Sequence, residues 1–221
     1  MKLFESLNYK LVNPSILIIL EISLSAVWQD LAAFVKNPRL DPLPAHFLEQ
    51  PQKIFPYLLA LDFLLMIPLM GIMGATGVED TDHEITKLLD NPIQLVLMAV
   101  VLAPILEELF FRFPIGNWWK VPAALFGETV TEWSIVKWCK NNFKIIFWTF
   151  TIVFAAVHFS NFVSTVPIYL APILVLPQFV LGIMLGYIRV GWGTRYSMLF
   201  HAIHNGVPIS LLLLGGGMNP S

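Results

Sequence analysis

Charge is what this sequence has least of. Only 13% of its residues are Asp, Glu, Lys or Arg, against about 25% in soluble domains, and 57% are hydrophobic. That shortage excludes an ordinary soluble domain and implies a polytopic membrane protein. An excess of basic residues is also missing. The net charge is −2, which gives nucleic acid no electrostatic footprint to bind. Cysteine is nearly absent: Cys139 stands alone, so an intramolecular disulfide and a cysteine-built metal cluster are both excluded. No internal repeat is visible.

What is present is apolar sequence in long runs. A length of 221 residues accommodates about six spans of ~20 residues each and no separate soluble domain. The fold class read from the sequence is therefore all-α: one membrane domain over 1–221, a polytopic transmembrane helix bundle and an integral, multi-pass membrane protein. The expected spans are 15–35, 55–73, 93–118, 143–163, 166–188 and 196–214. The first resembles a signal peptide, but Glu21 interrupts its apolar part and Ser23-Leu24-Ser25 is a weak cleavage site, so it reads as retained. Its Glu21, Gln29 and Asp30 form a polar stripe for other helices. Prolines 38, 42, 44, 51 and 56 mark the loop after it. Asp62 in span two reads as a buried acid bonded to a neighbouring helix rather than as a proton or substrate contact.

Thr81 and Glu84 fit a capping box for a short surface helix ending near Leu89. His83-Glu84 begins like the zinc motif H-E-x-x-H, but Lys87 occupies the last position and the motif fails. Between spans three and four, Trp133, Lys137, Trp138, Lys140 and Lys144 suggest an amphipathic interfacial helix with aromatic anchors and lysines toward lipid headgroups, although packing of the tryptophans in the core would also fit. Three prolines in span five (Pro167, Pro172, Pro177) predict a bend. Nine Lys and Arg residues fall in connections one, three and five and three in the remaining segments outside the spans. The positive-inside rule places the odd connections in the cytoplasm and both termini outside.

The chain is organised around Glu107 and Glu108. From Ile93 to Leu106 there is no charge, then two carboxylates stand together with Arg112 one turn on. A carboxylate at the centre of a membrane helix costs roughly 2.5–3.5 kcal/mol, so such groups are paired or functional. Two further helices carry polar pairs four residues apart, Phe154 with His158 and His201 with Asn205. Residues four apart share a helix face, so each pair can point into the bundle. A lone intramembrane histidine is usually a hydrogen-bonded core residue. Three such patches in one small bundle, supplying carboxylate, imidazole and amide, indicate a site.

Glu107-Glu108-x-x-x-Arg112, Phe154-x-x-x-His158 and His201-x-x-x-Asn205 together resemble the CAAX-protease and bacteriocin-processing family, also called Abi, of intramembrane proteases. The resemblance runs from about Pro104 to Asn205 with all motifs in order; Ala103-Pro104-Ile105-Leu106 fits it as well, and the family core would cover about 93–214. Phe113 stands where a glycine commonly follows the arginine. The resemblance implies an endopeptidase that hydrolyses a peptide bond in a membrane-tethered protein or peptide, with membrane lipid as the other partner.

Peptide hydrolysis needs an activated water, an oxyanion donor and a proton for the leaving amine. Glu108 and Arg112 are spaced to pair, which holds Glu108 ionised and leaves Glu107 as general base. His158 would orient the water or pass a proton, and His201 with Asn205 would stabilise the oxyanion. His204 is a possible substitute for His201. No cofactor is favoured. Zinc is chemically possible through His158, His201 and either Glu107 or Glu108, but with Glu108 taken by Arg112 and Glu107 acting as base only two imidazoles remain, short of the three ligands a catalytic zinc wants. Two other classes make different demands on the sequence. A proton-coupled transporter expects polar residues spread along a route, and a catalytically silent binding or immunity protein expects decay of a catalytic position; this chain shows neither.

Overall fold

In the computed structural model, residues 23–40, 51–76, 88, 91–162 and 166–215 are described. Every element among them is helical. Helix α1 is Leu24–Lys36, started by Ser23, whose hydroxyl accepts from the Ala26 N–H at 3.1 Å. At 13 residues it is about 20 Å long, shorter than a bilayer core of about 30 Å. Residues 15–22 of the expected first span, Glu21 among them, lie outside the described residues, as do the Thr81–Glu84 capping box and most of its surface helix. The polar stripe reading holds for Asp30, which accepts from the Tyr187 hydroxyl at 2.6 Å and ties α1 to a later helix.

Helix α2, Pro51–Gly74, starts four residues before the expected span. Pro51 and Pro56, expected in the loop, belong to it. At the start of a helix the fixed φ of proline suits the first turn and its missing N–H is an orphan in any case. Helix α3, Pro92–Arg112, opens on Asn91, whose side chain accepts from the Gln94 N–H at 3.1 Å, with Pro92 in the first turn. It ends at Arg112 rather than continuing to 118, and the chain turns through 113–118. Pro114 has no N–H to donate back along the helix, which stops it there.

The link that follows folds as α4, Lys120–Phe126, a 3-10 turn Glu128–Glu132, and α5, Ser134–Asn141. Helix α5 is amphipathic. Val136 is buried while Ile135 and Trp138 face out, and Lys137 bonds Glu132 at 2.7 Å. Both tryptophans named for this region stand on the surface rather than in the core. Trp133 and Trp138 are exposed, whereas Trp119 is buried against Val130 and Val136, with the Lys140 ammonium 5.2 Å from its ring centre. Burial pushes the Cys139 thiol above its ordinary range, which keeps this single cysteine poorly nucleophilic.

Helix α6, Phe143–Val157, runs on into a 3-10 turn, His158–Asn161. Helices α7, Ile168–Leu174, and α8, Leu176–Trp192, meet at 43°. The break at Val175 sits between Pro172 and Pro177, which bears out the bend. Helix α9 is Thr194–Leu214. Four of these helices are long and apolar enough to cross a membrane, and five spans result if the bent pair counts as one. The fold is a polytopic helical bundle. A sixth span would have to be the first of the sequence reading.

The core is aromatic. Phe34 meets Phe147 and Tyr187 edge-on, with ring centres 5.2 and 5.3 Å apart. Ile67, Met70, Leu106 and Phe110 point outward and are exposed; a soluble protein would bury residues of this kind, and a lipid-facing surface displays them. The odd connections gather at one end. Leu40 packs on the Trp119 cluster, and the Lys144 ammonium donates to the Lys36 carbonyl at 3.4 Å. Pro92 and Leu213 line a common groove at the opposite end.

Candidate active site

Helix α3 carries its carboxylates on an irregular backbone. It is π-helical over Val96–Leu102, α-helical over Ala103–Glu107 and π-helical again over Glu108–Arg112. Such π segments recur at functional sites. In the first one Ala103 donates five residues back, to the Met98 carbonyl. The next bond in that register would run from residue 104 to the Ala99 carbonyl, but residue 104 is proline and has no N–H. Asn205 supplies the missing donor: its side-chain Nδ2 donates to the Ala99 carbonyl at 2.8 Å. Its amide, expected at the oxyanion, is engaged here in fixing α9 against α3.

The two carboxylates reach the same imidazole from opposite sides. Glu107 Oε2 lies 3.7 Å from His201 Nε2, and Glu108 Oε1 lies 3.3 Å from His201 Nδ1. Glu107 Oε2 also lies 3.6 Å from His158 Nε2. His158 Nδ1 is 2.7 Å from the Phe154 carbonyl, an acceptor only, so Nδ1 carries a proton and the neutral ring presents a lone pair at Nε2 toward Glu107. Glu108 and Arg112 are both fully buried and pair at 3.8 Å. Glu107, with 26% of its side chain exposed, is the accessible member of the two. The structure therefore brings together Glu107, Glu108, Arg112, His158 and His201, and places Asn205 one turn along α9 as a brace.

Phe154 is the hub beneath them. The Arg112 guanidinium sits 4.2 Å from its ring centre, and the His158 and His201 rings lie 4.6 and 6.0 Å away. Arg112 makes no side-chain hydrogen bond among the described residues, so its charge is met by Glu108 and by the negative face of this ring. Glycine at 182 permits the packing. A Cβ there would lie 3.2 Å from Phe154 Cδ1 and 3.3 Å from Arg112 Nη2.

One support escaped the sequence reading and a second was read without its partner. Arg189, at the end of α8, donates from Nε to the Arg112 carbonyl at 2.9 Å, so a cation caps the C-terminal end of α3. Asp62 and His204, considered separately above, form a pair: Asp62 Oδ2 is 2.5 Å from His204 Nδ1, and Asp62 is fully buried. That is the buried acid bonded to a neighbouring helix, and it locks α2 to the helix bearing His201. His204 is thereby committed to Asp62. Truncating Asp62 leaves a partly buried imidazole without its partner, so Asp62→Ala is expected to destabilise the detergent-solubilised protein by about 1–3 kcal/mol. A double-mutant cycle with His204→Ala checks it; losses additive to within about 0.5 kcal/mol would show that the two do not interact.

Among the described residues, no group of three His, Cys, Asp or Glu side chains is gathered to hold a metal ion. Glu107 Oε2 with the two Nε2 atoms offers one carboxylate and two imidazoles, at separations of 3.6 and 3.7 Å. Two ligands each about 2 Å from one zinc stand about that far apart, so these separations do not exclude a metal; the chemistry below is built from the chain's own groups.

Fold and site together define a polytopic helical membrane protein with a carboxylate–imidazole centre held between its helices. Sequence comparison agrees: the model of the family described as type II CAAX prenyl endopeptidase Rce1-like matches residues 89–207. That is just over half of the chain and includes every residue of the centre, and the chain belongs to this family. No curated protein and no solved structure matches it. Membership implies a protease of the CAAX type, with a membrane-tethered protein or peptide as its substrate class.

Proposed function

We propose that this protein is an intramembrane endopeptidase that hydrolyses a peptide bond in a membrane-tethered chain, with Glu107 activating the water. One observation carries the reading: a partly exposed carboxylate turns its buried Oε2 toward two imidazole Nε2 atoms at 3.6 and 3.7 Å, while the neighbouring carboxylate is fully buried and tied to arginine. The gap is longer than a direct hydrogen bond and suits a group held among the three.

In this reading Glu107 takes a proton from water as its oxygen attacks the peptide carbonyl. His158 Nε2, with its lone pair free, relays that proton to the leaving amine as the C–N bond breaks. In the same reading His201 carries a proton on both nitrogens throughout: Nδ1–H donates to Glu108 and Nε2–H to the oxyanion, so the step needs no further proton. Arg112 holds Glu108 in place, and Asn205 and Arg189 brace α3.

The family description points to a prenylated C-terminal tail as substrate. The test is a cleavage assay with the purified full-length protein in lipid nanodiscs, using a farnesylated peptide ending in a CAAX sequence and its unprenylated twin. Release of the C-terminal tripeptide from the prenylated peptide alone is expected. Cleavage of neither peptide would overturn the substrate class. Elemental analysis of the same active sample is expected to find no stoichiometric zinc; zinc lost together with activity on chelation, and restored with it, would make one of the glutamates a ligand instead.

A further inference from the structure

The end of the bundle where the odd connections gather holds a cavity that the proposed chemistry does not use. Its volume is about 200 Å³, the liquid volume of roughly seven waters. Leu40 lines it from the link between α1 and α2, Gly116, Asn117 and Lys120 from the link between α3 and α4, and Arg189 and Gly193 from the end of α8. We propose that this cavity binds a phosphate group, supplied by the headgroup of an anionic phospholipid.

The lining is cationic and no acid contributes to it. Among the described residues, neither Lys120 nor Arg189 has a carboxylate within ion-pair distance. Arg189 uses Nε on the Arg112 carbonyl at 2.9 Å and turns Nη2 toward the Phe113 carbonyl at 3.5 Å, which fixes the guanidinium plane and leaves Nη1 for a ligand. Glycine at 116 makes this possible, because a Cβ there would collide with that guanidinium.

Gly193, from which α9 starts, lines the same cavity. At φ +92° it is the N-cap of α9 and offers no side chain to the first N–H groups of the helix. A 21-residue helix presents partial positive charge there, and an anion satisfies it. A guanidinium N–H, a lysine point charge and the positive end of a helix all favour a phosphate. Trp118, partly exposed beside Lys120, fits the headgroup level at which tryptophan collects, which makes lipid the source to expect.

The test titrates short-chain phosphatidylglycerol into the full-length protein in an uncharged maltoside, following the melting midpoint by tryptophan fluorescence. A saturable rise is expected. Lys120→Gln should raise the half-saturating concentration about fivefold, the contribution of one basic residue near an anionic headgroup. Lys137→Gln, an exposed lysine already paired with Glu132, is the control for simple charge loss and should change it less than about twofold. A parallel titration with inorganic phosphate separates the sources: a rise with lipid alone assigns the headgroup, and an equal rise with phosphate assigns a free anion in the same cavity. No saturable rise in the wild type, or equal weakening in both variants, would overturn the proposal.

Discussion

Glu107→Gln is expected to lower the rate of peptide cleavage by about 10²–10⁴-fold, the usual cost of losing a general base, while leaving the melting midpoint unchanged. The substitution keeps the side-chain shape. The carboxylate it removes is partly exposed and stands outside the buried Glu108–Arg112 pair. Glu108→Gln is the informative companion. That side chain is fully buried between Arg112 and His201 Nδ1, so its loss should cost stability as well as rate. Single-turnover cleavage and thermal melting on the same preparations separate the two. A Glu107→Gln enzyme retaining more than about a tenth of the wild-type rate would sink the assignment of Glu107 as base.

That the two glutamates differ at all was readable from spacing. Arg112 lies four residues beyond Glu108, and this alone divided a paired carboxylate from an unpaired one; the fold places the pair at zero exposure and leaves Glu107 open. The shared face of Phe154 and His158 was equally legible, since one helical turn dictates it. What spacing could not show was the partnership across helices. His201 touches both carboxylates across the contact of α9 with α3, and the π segments of α3 have no clear sequence mark beyond a proline such as Pro104. Asn205 was found as a residue but not in its contact, because its partner is a backbone carbonyl and carbonyls carry no sequence identity. The same reason hid Arg189, which reads as an ordinary basic residue ending a span. Asp62 and His204 were each noticed, yet 142 residues separate them, and only the packing of α2 on α9 joins them. Span boundaries failed where proline acts in opposite directions, starting α2 early at Pro51 and stopping α3 early before Pro114.

Arg112→Ala is expected to have the largest effect on stability of any single change at the centre. The guanidinium is fully buried, faces Glu108 at 3.8 Å and lies over the Phe154 ring. Removing it leaves an uncompensated carboxylate in a low-dielectric setting and empties the space that α8 closes through Gly182. Breaking a buried pair from one side costs about 3–5 kcal/mol. Activity should fall with it, because Glu108 loses the charge that keeps it fit to hold His201. Two variants separate position from charge. Arg112→Lys keeps the charge but not the planar group stacked on Phe154, and should recover only part of the stability. Arg112→Met with Glu108→Gln removes both charges and retains bulk, and should melt closer to the wild type than Arg112→Ala does, because replacing both members of a buried pair is far milder than orphaning one. Its cleavage should stay low, since His201 then lacks an ionised partner. If Arg112→Ala instead melts normally while losing all activity, the arginine does not support Glu108 and must contact the reacting groups itself.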